Sequence, residues 1–547
     1  MNGDMTEVNG FHQQRSDAAI MESMLLVRFE HAKRQDKDYS HLFRKKTRLE
    51  IIRLSFYQLG VEFCYAAETA FVTPLLLSNG LSYTFMTMVW AFAPVLGFFF
   101  APMIASFSDR VRCAWGRRRP VLLALGSACI TGLLILPHGK AIGILLGDED
   151  VPVELMTGFR WGILVTVIGL VLTDFDVETS SGVGRTYFMD VCILDDHARV
   201  LTTAMVIGGI GGTGGYMLGA IDWLQTDLGS LMGSNEATVF ATVVVVLAVG
   251  LIVSLTSFRE VSLPRMEKDE LLRPITKTRF ETEKRKQLTI VYNISNLVVD
   301  PKKPPISTSI PIEDDEPPLT FSHFMKGLWN MPRSLLILYL TQLLSQLGYL
   351  SYCLYFTDFV GSAVFRGDVA APEGSPELAL YEEGVRFGCW GMALFTFSAA
   401  LYSLFIEKII KCFSTRPVYI GGLLTYSIGM LLMALFNERW MVFVSCPTVG
   451  IMYATIYSIP FLAISQYHAN DSFAMKDGKL VECSHRRGFG ADVSVMSSML
   501  FLAQLIISLA IGSIIDAVGS TTVVIYSASL FSFLAAIAAS QVLYMEL

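Results

Sequence analysis

The chain is 547 residues long, 52% hydrophobic and only 17% charged, with a mean hydropathy of +0.49 and a formal net charge of -7. Ordinary soluble domains carry about a quarter charged residues, so the composition excludes that class and predicts a membrane protein. Nine cysteines are scattered singly, with no CxxC pair or ligand-like cluster, so neither a disulfide framework nor a metal site is expected.

Residues 1–48 are polar, rich in Gln, Arg and Lys, and lack a signal peptide. They read as a mobile cytoplasmic tail. Apolar spans follow at roughly 51–78, 83–105, 120–138, 160–187, 200–222 and 237–257. The segment 258–330, with KTRFETEKRKQ, DPKKPP and EDDEPP, has the Pro and mixed charge of a linker. Six more spans fall at roughly 333–360, 384–408, 416–436, 440–467, 490–514 and 520–544. The predicted fold is therefore an all-α membrane protein of twelve transmembrane helices in two six-helix pseudo-repeats (49–257 and 331–547), the major facilitator plan.

Loop charge tests this threading. Arg44, Lys45, Lys46 and Arg48, the loop SDRVRCAWGRRRP (108–120), the linker, Lys408, Lys411, Arg416 and the run Lys476 to Arg487 all fall on one side. Loops 79–82, 223–236 and 515–519 hold no Lys or Arg. The bias predicts that both termini are cytoplasmic. The sequons at Asn293 and Asn470 fall on that side and are expected to stay unglycosylated.

Ionisable groups in hydrocarbon are costly and tend to mark a pathway. Span 4 reads TDFDVETSSGVGR, residues 173–185. At 100° per residue, Asp174, Glu178 and Arg185 fall within about 40° of one another, with Ser181 and Gly182 on roughly the same face. Two readings compete: a proton-binding stripe and a structural Asp–Arg lock. A carboxyl in a poorly hydrated site can hold a proton near neutral pH, and two close carboxyls favour one shared proton. Asp176 points the other way and reads as structural. In span 1, Glu62 and Glu68 are about 120° apart, so one is expected on the path and the other against a neighbouring helix. Asp358, near the outer end of span 7, is a substrate ligand or a helix-end residue. Gln342 and Gln346 in span 7, and Gln504 in span 11, are uncharged hydrogen-bonders suited to a sugar. Tyr65, Tyr216 and Trp390 are candidate sugar-stacking faces. The glycine run 208–219 in span 5 lacks the strand and lysine of a phosphate loop and reads as close helix packing.

SDRVRCAWGRRRP, GVEFCYAAETAFVTP, the stretch from Asp174 to Asp190, GGYMLGAIDW, YFTDFVGSAVFRGD and YEEGVRFGCWG together resemble solute carrier family 45. That family holds the animal proton-associated sugar transporters and the melanosomal membrane-associated transporter. The chain is more distantly similar to plant sucrose–proton symporters. The resemblance implies that Asp174 is the proton-coupling aspartate, with Glu178 beside it and Arg185 the matching basic residue. It also implies that Asp109, Arg117, Arg118 and Arg119 form a conformational latch. Two departures stand out. Ala105 replaces the first glycine of the usual facilitator loop, and Ser362 and Ala363 occupy the places of a plant Arg-Glu pair.

The expected function is proton-coupled symport of a neutral sugar, most readily sucrose or else a hexose such as glucose, by a monomer in the lipid bilayer. No cofactor, metal, enzymatic activity or nucleic-acid partner is expected. The plasma membrane is the expected residence. The alternatives are a vesicular exporter that sets luminal pH, for which Glu267 to Leu272 (EKDELL) offers an acidic-dileucine sorting pattern, and a sugar sensor that does not transport.

Overall fold

The computed structural model describes residues 19–148, 160–273, 331–372, 374–469, 472–476, 479–482 and 489–542. Both sequons, most of the linker and Cys483 lie outside these residues.

Twelve long helical segments occupy the predicted positions. The first six are α1 (Arg48–Ser78), α2 (Tyr83–Trp90, then Phe92–Arg110 after a break at Ala91), α3 (Arg119–Ile135), α4 (Trp161–Asp190), α5 (Leu194–Gly219) and α6 (Asn235–Ser257). The second six are α7 (Arg333–Phe359), α8 (Pro376–Phe413), α9 (Thr415–Phe436), α10 (Arg439–Ile456, followed by Ile459–Ala469), α11 (Phe489–Val518) and α12 (Thr522–Ala539). Several starts are written in local chemistry. Thr47 and Glu50 form a reciprocal capping box on α1, and Ser234 and Ser375 cap α6 and α8. A two-stranded hairpin, Ser472–Lys476 with Lys479–Glu482, decorates the loop before α11.

Among the described residues, ten helices are long and apolar enough to cross a membrane by composition. The two that fall short are α4 and α5, which carry the charges and the glycine run noted above. Both nonetheless pack inside the bundle, where a polar or glycine-rich surface meets protein instead of lipid. Large apolar side chains such as Phe85, Phe99, Leu401, Leu435 and Leu530 stand exposed on the outside, as a lipid-facing surface requires.

Helix contacts repeat with an offset of six. α1 packs on α5 and α6, as α7 packs on α11 and α12; α3 packs on α4, as α9 packs on α10. Between the halves, α2 meets α11 and α5 meets α8. These two contacts exchange under the same offset, so the halves are related by a pseudo-twofold axis. The glycine run serves this packing. A Cβ on Gly211 would lie 2.7 Å from the Leu59 carbonyl oxygen of α1, and one on Gly209 would lie 2.6 Å from Ala400 Cβ of α8. α5 thus wedges between its own bundle and the other.

The tail is more ordered than expected of a mobile segment. Residues 19–33 form a helix and Ser40–Phe43 a 3-10 turn. Both lie on the first part of the linker, 258–273, which itself folds into two short turns, Leu263–Lys268 and Glu270–Leu272.

Candidate functional site

A cavity of about 340 Å³ lies between the two bundles, within the size range of small-molecule sites. α1 contributes Glu62, Tyr65 and Glu68; α4 contributes Asp174, Glu178 and Arg185; α7 contributes Gln342 and Gln346; α11 contributes Gln504. All nine were singled out from sequence, and the fold brings them to one wall-to-wall site. The span 4 stripe faces inward as its spacing requires. Glu62 and Glu68 both reach the cavity. The expectation that only one would do so fails because the cavity is wider than a single helical stripe.

The carboxyl groups are held differently. Gln504 Nε2 donates to Asp174 Oδ2 at 3.2 Å, and this bond joins the two bundles. Gln58 Nε2 donates to Glu62 Oε1 at 3.1 Å. Tyr65 and Glu178 line the same cavity. Arg185 Nη2 donates to Ser181 Oγ at 3.4 Å, and its charge acts on both Glu62 and Glu178. Glu68 is buried, and its Oε1 has no hydrogen-bond partner among the described residues; the same holds for Gln342 Oε1 and Gln346 Oε1. Buried polar atoms left unpaired are uncommon and call for an explanation. The side chains that carry them line the cavity.

Among the aromatic candidates, Tyr65 and Tyr216 line the cavity, while Trp390 is 44% exposed and is not among its lining residues. Trp90, Tyr349, Tyr453 and Tyr457 line it as well and were missed. The i, i+4 spacing of Tyr453 and Tyr457 put them on one face of α10, the one available signal. Asp176 is buried away from the cavity, with Oδ2 unpaired among the described residues. Asp358 also lies outside the cavity. It is fully buried and accepts hydrogen bonds from Tyr83 (3.0 Å) and Tyr381 (2.8 Å).

At the arginine loop, Arg117 Nη2 reaches Asp190 at 2.7 Å and Arg117 Nη1 reaches Asp109 at 3.8 Å. Arg118 Nε donates to Asp190 at 3.2 Å, and its other nitrogens bond Asp109 and Ser108. Glu260, just past α6, accepts from the backbone N–H of Arg118 at 3.0 Å and of Arg119 at 3.2 Å. Burial pushes the Glu260 carboxyl up from its ordinary range, against the pull of those two N–H groups. Gly116, at φ +129°, lets Glu260 approach, since a Cβ there would sit 2.3 Å from Glu260 Oε2. Arg119 differs from its neighbours. Its side chain bonds the Leu255 carbonyl and lies over the Trp115 ring at 4.6 Å. Asp190 and Glu260 were not assigned a role from sequence, and Glu260 was hidden in what read as linker.

The chain is 31% identical to the human membrane-associated transporter protein over 492 residues, covering 89% of this chain and 91% of that protein. The chain belongs to solute carrier family 45. It is also 27% identical over 660 residues to mouse proton-associated sugar transporter A, covering 91% of this chain and 86% of that family member. No protein-family model matches the chain. Among solved structures, the xylose transporter XylE from E. coli, in an inward-open conformation, superposes with a TM-score of 0.56 at 12% identity, over 91% of this chain and 96% of that one. This likeness shows the major facilitator fold. The chain is thus a multi-pass membrane protein of a transporter family and not an enzyme.

Proposed function

We propose that this family 45 member is a proton-coupled symporter of a neutral sugar, with sucrose the first candidate and a hexose next, working by alternating access as a monomer. The observation that carries the reading is the gathering of four carboxyl groups and one guanidinium, among the described residues, on a cavity also lined by amide and tyrosine side chains. Sugar hydroxyls are matched by such acceptors and donors, and sugar C–H faces by aromatic rings. The name of proton-associated sugar transporter A supports the same pairing of substrates.

In this mechanism Asp174 takes the coupling proton, with Glu178 one turn away sharing it. Neutralising the pair removes a charge penalty on closing around sugar. Because Gln504 of the second bundle bonds Asp174 of the first, protonation and bundle contact act on one another directly. The loaded bundles then rock, and the proton leaves on the other side. Substrate shifts this equilibrium only through its different affinity for the two states. Asp109, Arg117 and Arg118 hold α2, α4 and the end of α6 as one body during the switch. Both termini and the arginine loop are cytoplasmic, and the working membrane is the plasma membrane.

The test is uptake of a labelled sugar panel by the purified chain in sealed vesicles at two external pH values. A one-unit inward proton gradient supports up to about tenfold accumulation at one proton per sugar. Binding without accumulation identifies a sensor; uptake indifferent to the gradient identifies a uniporter. Either result rejects the proposal.

A further inference from the structure

The pattern EKDELL, Glu267 to Leu272, remains unused by the transport mechanism. In an acidic-dileucine signal an adaptor protein reads a carboxylate four residues before a pair of leucines, all three presented together. Here two of the three determinants, Glu267 and Leu272, are engaged. Glu267 accepts from Arg112 Nη2 of the arginine loop at 2.9 Å. Leu271 is 36% exposed, but Leu272 is only 2% exposed. Leu272 joins the main hydrophobic core of the molecule, which the arm residues Ala32, Tyr39, Leu42 and Phe43 also enter.

The cover is the N-terminal arm, and its polar grip falls on the pattern itself. His31 Nε2 lies 2.5 Å from Asp269 Oδ2, and Gln35 Nε2 donates to the same oxygen at 3.2 Å. Arg28 Nη1 donates to the Arg273 carbonyl, just past Leu272, at 2.7 Å. Arg28 and His31 share one face of the arm helix, and Gln35 follows just past its end. Further along, His41 Nε2 donates to the Arg259 carbonyl at 2.9 Å and its ring stacks on Phe258 at 5.6 Å. The arm is thus held near the leucines by part-buried hydrogen bonds and by buried apolar side chains, and its lifting is a local opening of the kind that precedes global unfolding.

We propose that Glu267 to Leu272 is a concealed sorting signal for a cytosolic adaptor protein, one offering a basic contact to Glu267 and paired apolar pockets to Leu271 and Leu272, and that the N-terminal arm covers it until it lifts. The proposal rests on the cytoplasmic placement of the arm in the preceding section. It does not depend on which solute is carried.

The experiment follows internalisation of the full-length chain in cells by surface biotinylation. Four forms are compared: the native chain, Arg28→Ala with His31→Ala and Gln35→Ala, Leu271→Ala with Leu272→Ala, and all five substitutions together. The arm variant is expected to internalise at least twofold faster, and the fivefold variant at the native rate. His31→Ala alone, at a partly exposed position, is expected to give a smaller rise with an unchanged melting temperature. Equal rates in native and arm variants overturn the proposal. So does a rise that persists without the leucines, since that marks removal of misfolded protein. An N-terminal epitope labelled on intact cells overturns it too, by placing the arm outside. Sugar uptake per surface molecule, read in parallel, fails separately if the transport reading is wrong.

Discussion

The Tyr83 hydroxyl, at the start of α2, donates a 3.0 Å hydrogen bond to Asp358, near the end of α7, and so ties the first bundle to the second. Tyr381 of α8 holds the other oxygen of the same carboxyl at 2.8 Å. Nearby cross-bundle bonds run from Thr84 to Asp516, from Thr73 to the Leu354 carbonyl, and from Thr357 to the Ala70 carbonyl. All lie at the end away from the arginine loop. The cavity instead extends toward the arginine-loop end, past Arg185 to Met205, Ser403 and Met496. These bonds close the two bundles together at one end, and Asp358 sits among them and not in the wall of the cavity.

Tyr83→Phe removes one bond of this closure, a loss of about 1–2 kcal/mol, or a five- to thirtyfold shift toward opening at that end. Cys353 lines the cavity. In a chain whose other cysteines are replaced, its labelling by a membrane-impermeant thiol reagent from outside is expected to accelerate by that order. No change in labelling rate removes Tyr83 from the closure.

Arg118→Gln leaves Asp190 and Asp109 short of a partner, and is expected to lower stability by about 3 kcal/mol, read as a fall in the detergent melting temperature. Arg118→Lys is expected to rescue little, because three side-chain partners share its guanidinium fork. Arg119→Gln breaks no carboxylate pair and is expected to cost less. All these partners belong to the first bundle or to the segment that follows it. Bound sugar is therefore expected to survive in Arg118→Gln while turnover falls.

Gly211→Ala forces a methyl group against the α1 backbone and is expected to cost about 1–3 kcal/mol. Gly421→Ala, in α9, meets nothing within 4 Å and is expected to be neutral or to stabilise by up to about 1 kcal/mol. Melting temperatures of the two variants check the pair. Equal effects contradict the wedge role of α5.

The helices and the cavity-facing acids were legible because membrane spans obey two strong constraints, apolar length and the cost of charge in hydrocarbon. Asp174, Glu178 and Arg185 shared a face by spacing alone, and the fold honours it. Asp358 was misread because its partner Tyr83 lies 275 residues away, and no local pattern announces such a pairing. The folded order around Glu260 and Leu272 was missed for the opposite reason. Their polar, Pro-flanked surroundings matched a linker, while their order comes from tertiary contacts with the arginine loop and the N-terminal arm.

The central claim is tested most directly by Asp174→Asn in sealed vesicles under an inward proton gradient. The account predicts that gradient-driven sugar accumulation is lost while downhill exchange of preloaded sugar continues. Full accumulation by that variant at acidic external pH contradicts it.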